Sequence, residues 1–247
     1  MIFQKNLISG LNKVETAIER IKLLTAGKKV TVAFSGGKDS MTVKTLCDMA
    51  GIKYALRYRV TSMDPPEVIY FIKSQGAKFE YPGTTFWKLV EKYKGFLPMR
   101  KARYCCGPLK EVSPKRDEII LIGVRWAESV KRSKRLMTEH CVKTGGHKLN
   151  PIIDWTNAEV WEFHKAFNVP HCSLYDQGYK RIGCIGCPMK SEKLRAIDFE
   201  KYPWFREKTI KVIRRTEKLN PSDGRQLKFK ASWLHCNVED ITGATEL

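Results

Sequence analysis

Apolar and polar positions alternate along this chain with two distinct periods. Leu11, Val14, Ile18 and Ile21 recur at helical spacing and predict an amphipathic helix over Ile8 to Leu24. Val30-Thr31-Val32-Ala33-Phe34 is a short apolar run of strand type. Val43, Leu46, Cys47 and Ala50 then line one face of a helix from Met41 to Ala50, which makes Cys47 a core residue. Lys53 to Val60 alternates as a second strand, and Pro65 and Pro66 stop it and seat a helix running from Glu67 to near Gly76. A third strand over Ala77 to Tyr81 and a helix over Thr85 to Tyr93 follow. Glu118 to Val124 is a continuous apolar run, as in a strand buried on both faces. Thr156-Asn157-Ala158-Glu159 is a capping box opening a helix through Phe167. Strands alternating with helices predict an α/β fold with a doubly wound, mainly parallel sheet. From Asn168 the character changes: a loop rich in Gly, Tyr and Cys leads to Cys184, and helices dominate to about Leu219. The expected division is an α/β domain over 1–168 and a small helical, cysteine-bearing lobe over 169–247.

Between the first strand and its helix stands Ser35-Gly36-Gly37-Lys38-Asp39-Ser40. Glycines let the backbone bend and approach a ligand closely. The unpaired N–H groups of a first helical turn bind anions, helped by the helix dipole. Lys38 adds a cation, and the hydroxyls of Ser35 and Ser40 add hydrogen bonds. The spacing is too short for a Walker A loop. Ligands of such sheets bind at the carboxyl ends of the strands, and Asp64 and Arg125 also follow predicted strands. The three features are therefore expected to share one cleft, with Asp39 orienting Mg²⁺ and Arg125 neutralising charge on a bound phosphate.

Composition narrows the partners. The 247 residues carry a formal net charge of +19, which favours a polyanion: a nucleotide, a nucleic acid or a membrane surface. Lys131-Arg132-Ser133-Lys134-Arg135 is one basic patch. Lys208, Lys211, Arg215 and Lys218 form a stripe on a later helix, to be read as a nucleic-acid track or as a solvated face. No signal-like leader and no membrane-length apolar run is present, so a cytoplasmic location without membrane association is expected. Eight cysteines there point to metal, catalysis or burial rather than disulfides.

Four of those cysteines are paired along the chain. Cys105 and Cys106 are adjacent, and Cys184-Ile185-Gly186-Cys187 is a C-x-x-C loop. Four thiolates hold either zinc or an iron–sulfur cluster. Adjacent thiolates are awkward donors to one small ion and more easily serve two irons of a cubane. Cys236, beside His235, is a candidate nucleophile; Cys141 and Cys172 lack metal-like spacing.

The hexapeptide resembles the pyrophosphate loop of the adenine nucleotide α-hydrolase superfamily. With Cys105-Cys106, Gly123-Val124-Arg125, Pro151-Ile152-Ile153-Asp154-Trp155 and Gly178-Tyr179-Lys180-Arg181-Ile182-Gly183-Cys184, the chain resembles the phosphoadenosine phosphosulfate (PAPS) reductase family. Adenylyl-sulfate reductases and the sulfurtransferase of bacterial DNA phosphorothioation are similar. The resemblance implies an adenine nucleotide substrate, a 4Fe-4S cluster on Cys105, Cys106, Cys184 and Cys187, and sulfur chemistry. A sulfur donor or reductant protein, and DNA or tRNA as acceptor, are partners it brings into view. Two departures matter. The intact loop is the form associated with ATP and α–β cleavage, and the C-terminal Glu-Cys-Gly-x-His tail of the reductases is replaced by His235-Cys236-Asn237-Val238-Glu239-Asp240. The leading expectation is therefore an ATP-using sulfur-transfer enzyme with Lys38 and Arg125 in catalysis. The alternatives are an APS/PAPS reductase releasing sulfite through Cys236, and a zinc-stabilised nucleic-acid-binding module.

Overall fold

The computed structural model describes residues 1–7 and 9–243. In chain order the elements are α1 (Lys13–Thr25), β1 (Lys29–Ala33), α2 (Lys38–Met49), β2 (Ala55–Arg59), α3 (Pro66–Ser74), β3 (Lys78–Glu80), α4 (Phe86–Lys92) and α5 (Cys106–Lys110). There follow β4 (Glu118–Leu121), α6 (Val130–Ser133), β5 (Thr138–His140), β6 (His147–Leu149), α7 (Asn157–Ala166), α8 (Glu192–Lys201), α9 (Pro203–Leu219), α10 (Gly224–Leu234) and α11 (Val238–Thr242). Among the described residues no helix is long and apolar enough to cross a membrane.

The chain divides into two units. One holds 1–59, 66–80 and 112–182; the other gathers 60–65, 81–111 and 183–247. The sequence suggests a single boundary at 168, whereas the second unit is built from three separate stretches.

All six strands lie in the first unit, in the order β3-β2-β1-β4-β6-β5. Every neighbouring pair is parallel except β5–β6. The order runs one way from β1 through β2 to β3 and the other way through β4, so the topological switch point lies between β1 and β4. Those two strands are buried on both faces: Val30 and Val32 fill one face of β1 and Thr31 the other, while Ile119, Ile120 and Leu121 line both faces of β4. Cys47 of α2 is fully buried, as its place on the apolar face requires.

Several boundaries differ from the sequence reading for identifiable reasons. Ile8, where the amphipathic pattern was expected to begin, lies outside the described residues. Helix α1 starts at Lys13 because Asn12 and Glu15 form a capping box, Asn12 Oδ1 accepting from the amides of Val14 and Glu15. Helix α2 starts at Lys38 rather than Met41, since Gly37 is its N-cap and Ser40 Oγ donates back to the Gly37 carbonyl at 2.9 Å. Thr156 and Glu159 do form the capping box of α7. The β5–β6 hairpin escapes the periodic pattern because its strands are three residues long.

One buried carboxylate joins the two central strands. Glu118 is 2 % exposed and accepts from Thr31 Oγ1 at 2.6 Å and from the Lys115 amide at 2.8 Å. Burial alone would raise its carboxyl, but these bonds and nearby Arg57 outweigh it and hold it below the usual carboxylate range. A depressed folded value stabilises above the unfolded value, about 4.3 for Glu, and that contribution vanishes as pH falls through the folded one. Wild type is therefore expected to exceed Glu118→Gln in urea stability at pH 7, with the gap closing at strongly acid pH. A gap independent of pH would contradict this.

The second unit packs around aromatic residues. Phe205 stacks on Phe86 and Phe199, with ring centroids 5.6 and 6.3 Å apart. The polar edges of its two buried tryptophans are satisfied: Trp87 Nε1 donates to Thr209 Oγ1 and Trp233 Nε1 to the Pro98 carbonyl.

Candidate functional site

The hexapeptide leaves β1 at the switch point and enters α2. Gly36 has φ +70°, and a Cβ there would lie 2.9 Å from Ile72 Cγ1, so both conformation and space demand glycine. Ser35 Oγ and Ser40 Oγ are 3.2 Å apart, and the Ser35 amide donates to Ser40 Oγ, closing the loop on itself. Because α2 begins at Lys38, the Lys38 and Asp39 amides are first-turn donors, and Asp39 is the acid that the N-terminal dipole favours.

The charges around this turn form a line of three. Asp39 accepts from Lys38 Nζ at 3.0 Å on one oxygen and from Arg125 Nε at 2.7 Å on the other. Arg125, reached from the end of β4, is 3 % exposed and also donates through Nη1 to the Trp155 carbonyl at 3.2 Å. Lys38 is 5 % exposed. Two expectations change accordingly. Arg125 already meets its counter-charge on Asp39, so it positions the loop rather than presenting a free cation to a ligand. Each oxygen of Asp39 already faces one cation, so a Mg²⁺ there would share the carboxylate with Lys38 and Arg125.

Two residues that sequence spacing missed grip Lys38 from both sides of its peptide. Tyr175 Oη accepts from the Lys38 amide at 3.0 Å, and His164 donates from Nε2 to the Lys38 carbonyl at 2.9 Å. Trp161 packs edge-on against both rings. Burial pushes the Tyr175 phenol up to about 12 and holds His164 below its ordinary value, so both are neutral near pH 7. They lie more than a hundred residues from the loop, and no local period links them to it. The phenol oxygen sits on the amide that a ligand oxygen would use. Tyr175→Phe is therefore expected to tighten phosphate or nucleotide binding roughly fivefold, one net hydrogen bond being worth about 1 kcal/mol. Calorimetric titration checks this; weaker binding would show that the phenol serves the ligand instead.

The remaining candidates lie in the second unit. Asp64 accepts from the Thr61 amide and hydroxyl at 2.9 and 2.7 Å, and so closes its own turn. Thr61 Oγ1 is 3.6 Å from Cys184 Sγ. The structure gathers Cys105, Cys106, Cys184 and Cys187 in this unit: Cys105 and Cys184 are buried, Cys106 and Cys187 half-buried. Cys105 and Cys106 share a hydrogen bond that keeps Cys105 protonated and draws Cys106 down to about 6. Lys110 bonds to Cys184 and is held in its charged form by it. The C-x-x-C turn depends on Gly186, at φ +64°, where a Cβ would strike the Phe199 ring at 2.8 Å. Its amide donates to buried Asp198, which also pairs with Lys190. Among the described residues, no three His, Cys, Asp or Glu side chains converge in single-ion geometry.

Cys236 is half-buried, and burial, with Asp240 beside it, pushes its thiol up to about 11. It is protonated at neutral pH, against the expectation of an activated nucleophile; the adjacent His235 is itself held neutral by burial and Arg195.

Both basic patches are partly neutralised within their own units. Arg132 pairs with Glu128 and Arg135 with Glu139. Lys208 lies over the Trp87 ring at 3.8 Å and Arg215 pairs with Glu91 at 3.4 Å.

Comparison with known proteins supplies a frame for this geometry. Residues 29–190 match the family model described as phosphoadenosine phosphosulfate reductase domain. An uncharacterized protein of Methanocaldococcus jannaschii is 32% identical over 249 residues, covering 92% of this chain and 49% of its own length. Adenosine 5'-phosphosulfate reductase of Allochromatium vinosum is 33% identical over 98 residues, 38% of each chain. The chain thus spans about half or less of the length of these relatives. Phosphoadenylyl-sulfate (PAPS) reductase from Candida auris shares the fold, with a TM-score of 0.53 at 16% identity, over 68% of this chain and 88% of that one.

Proposed function

Since the chain belongs to the phosphoadenosine phosphosulfate reductase domain family, we propose that it binds ATP at Ser35–Ser40 and cleaves it between the α- and β-phosphates in a sulfur-transfer reaction. The observation that carries this reading is the first turn of α2 at the switch point. A glycine-built cradle there carries the Lys38 cation, held in place by Asp39 and Arg125. An acceptor oxygen attacks the α-phosphorus, the bond to the bridging oxygen breaks, and pyrophosphate leaves with the electron pair. The loop amides and Lys38 bind the charge that accumulates on the leaving group. Arg125 acts through Asp39 by keeping the loop in register.

The four grouped thiols fit an iron–sulfur cluster in kind and number, and would hold it as Cys105, Cys106, Cys184 and Cys187. When bound, such a group supplies sulfur or electrons. Anaerobic purification is expected to give iron and acid-labile sulfide near four of each per chain, an estimate from cubane stoichiometry. Stoichiometric zinc without sulfide would replace the cluster by a structural ion.

A second reading, a sulfonucleotide reductase releasing sulfite, is favoured by the local identity to the Allochromatium vinosum reductase. Burial raises the Cys236 thiol to about 11, so that reading requires a neighbouring base or cation to free the thiolate nucleophile. One experiment separates the two: pyrophosphate release from ATP against sulfite release from adenylyl sulfate, each with wild type and Cys236→Ser. Pyrophosphate release indifferent to Cys236→Ser supports the ATP reading. Sulfite release abolished by Cys236→Ser, without ATP turnover, overturns it.

A further inference from the structure

The β5–β6 hairpin lies outside the nucleotide loop and the cysteine pairs in sequence, and it carries two of the chain's five histidines. Strand β5 is the edge of the sheet, and His140 lies directly opposite His147 in the antiparallel register. The ladder bonds on either side of this pair fix its type. The Cys141 amide donates to the Gly146 carbonyl, and the Asn150 amide to the Met137 carbonyl. Hydrogen-bonded pairs alternate with non-hydrogen-bonded ones, so 137/150, 139/148 and 141/146 are of the first kind and 140/147 of the second. Side chains approach most closely at such positions.

The rings use that proximity. Both are exposed, their centroids are 4.8 Å apart at an interplanar angle of 50°, and His140 Nδ1 lies 3.3 Å from His147 Nε2. Two imidazole nitrogens bound to one tetrahedral ion at ~2.0–2.1 Å would stand ~3.3–3.4 Å apart. The pair already has that bite. Glu139 and Lys148, the neighbouring cross-strand pair, project to the opposite face of the pleat, and Glu139 is engaged by Arg135.

We propose that His140 and His147 form a two-nitrogen chelating site for a divalent cation of the Zn²⁺, Ni²⁺ or Cu²⁺ class, which clamps the edge strand β5 to β6. Imidazole suits these ions, whereas Mg²⁺ and Ca²⁺ take oxygen ligands. With two protein nitrogens on an exposed face, water fills the remaining coordination positions. The clamp stabilises the hairpin by mass action, by an amount that grows as the logarithm of the ratio of ion concentration to dissociation constant. The site is independent of the proposed nucleotide reading.

Zn²⁺ titration of the full chain, read through the ring nitrogens by histidine-detected NMR, is blind to ions taken up by thiols. The expected result is that the His140 and His147 rings shift together on one saturation curve while His171 does not follow it. In His140→Gln, His147 is expected to need at least tenfold more Zn²⁺ for the same shift, and the reverse in His147→Gln. Rings that titrate independently in wild type, or a His147 response unchanged in His140→Gln, would overturn the chelate. The wild-type measurement decides the matter even where a variant hairpin fails to form.

Discussion

Asp39→Asn is expected to cost the folded chain about 3 kcal/mol, the low end of what breaking a buried ion pair costs. The carboxylate lies between Lys38 Nζ and Arg125 Nε, both on side chains at most 6% exposed. Neutralising it leaves two buried cations side by side with no anion between them. Asp39 itself is 20% exposed, which screens part of the effect and is why the low end applies. The loss should be reversible by ligand. A polyphosphate at the first turn of α2 brings its own negative charge to Lys38, so inorganic pyrophosphate is expected to raise the midpoint of Asp39→Asn by more than that of wild type. Urea unfolding with and without pyrophosphate measures both effects. Equal shifts in the two proteins would mean that Asp39 and the ligand do not exchange for the same cation.

Lys38→Ala is the second large effect. It leaves Asp39 paired with Arg125, so the fold should survive with a modest loss, while the cation of the cradle disappears. A hydrogen bond to a charged group contributes about 1.5–3 kcal/mol, which places the expected weakening of nucleotide binding between about 10-fold and about 150-fold. Lys38→Arg should recover only part of this, because the guanidinium is broader than an ammonium in a buried cradle. Isothermal calorimetry on folded variants, checked by circular dichroism, reads the difference directly.

Much of this was legible in the sequence, and the reasons differ by element. The parallel sheet follows from Val30–Phe34 and Glu118–Val124, predominantly apolar runs suited to strands buried on both faces, whose polar members Thr31 and Glu118 bond to each other. The hexapeptide was recognisable because glycines, a lysine and helix-capping polar residues fall in one short run between a strand and a helix. Its polar character also hid where α2 begins: Lys38, Asp39 and Ser40 look like loop and are the first helical turn. The grouping of Cys105 and Cys106 with Cys184 and Cys187 was inferable from paired spacing alone. Electrostatic partnership was not. Arg125 reads as a free cation after a strand, and only the fold reveals Asp39 2.7 Å away. Tyr175 carries no motif at all, and its phenol reaches Lys38 through tertiary packing with Trp161. The state of Cys236 was hidden for a related reason: His and basic neighbours suggest a thiolate, whereas half-burial and Asp240 raise the thiol.

The claim on which the functional account rests is that Ser35–Ser40 holds the polyphosphate of ATP. Calorimetric titration of the anaerobically purified chain with Mg·ATP tests it most directly. The account predicts saturable binding of one nucleotide per chain, displaced by inorganic pyrophosphate and weakened by Lys38→Ala. Binding that is indifferent to Lys38→Ala, or no ATP binding alongside tight binding of adenylyl sulfate, would contradict it.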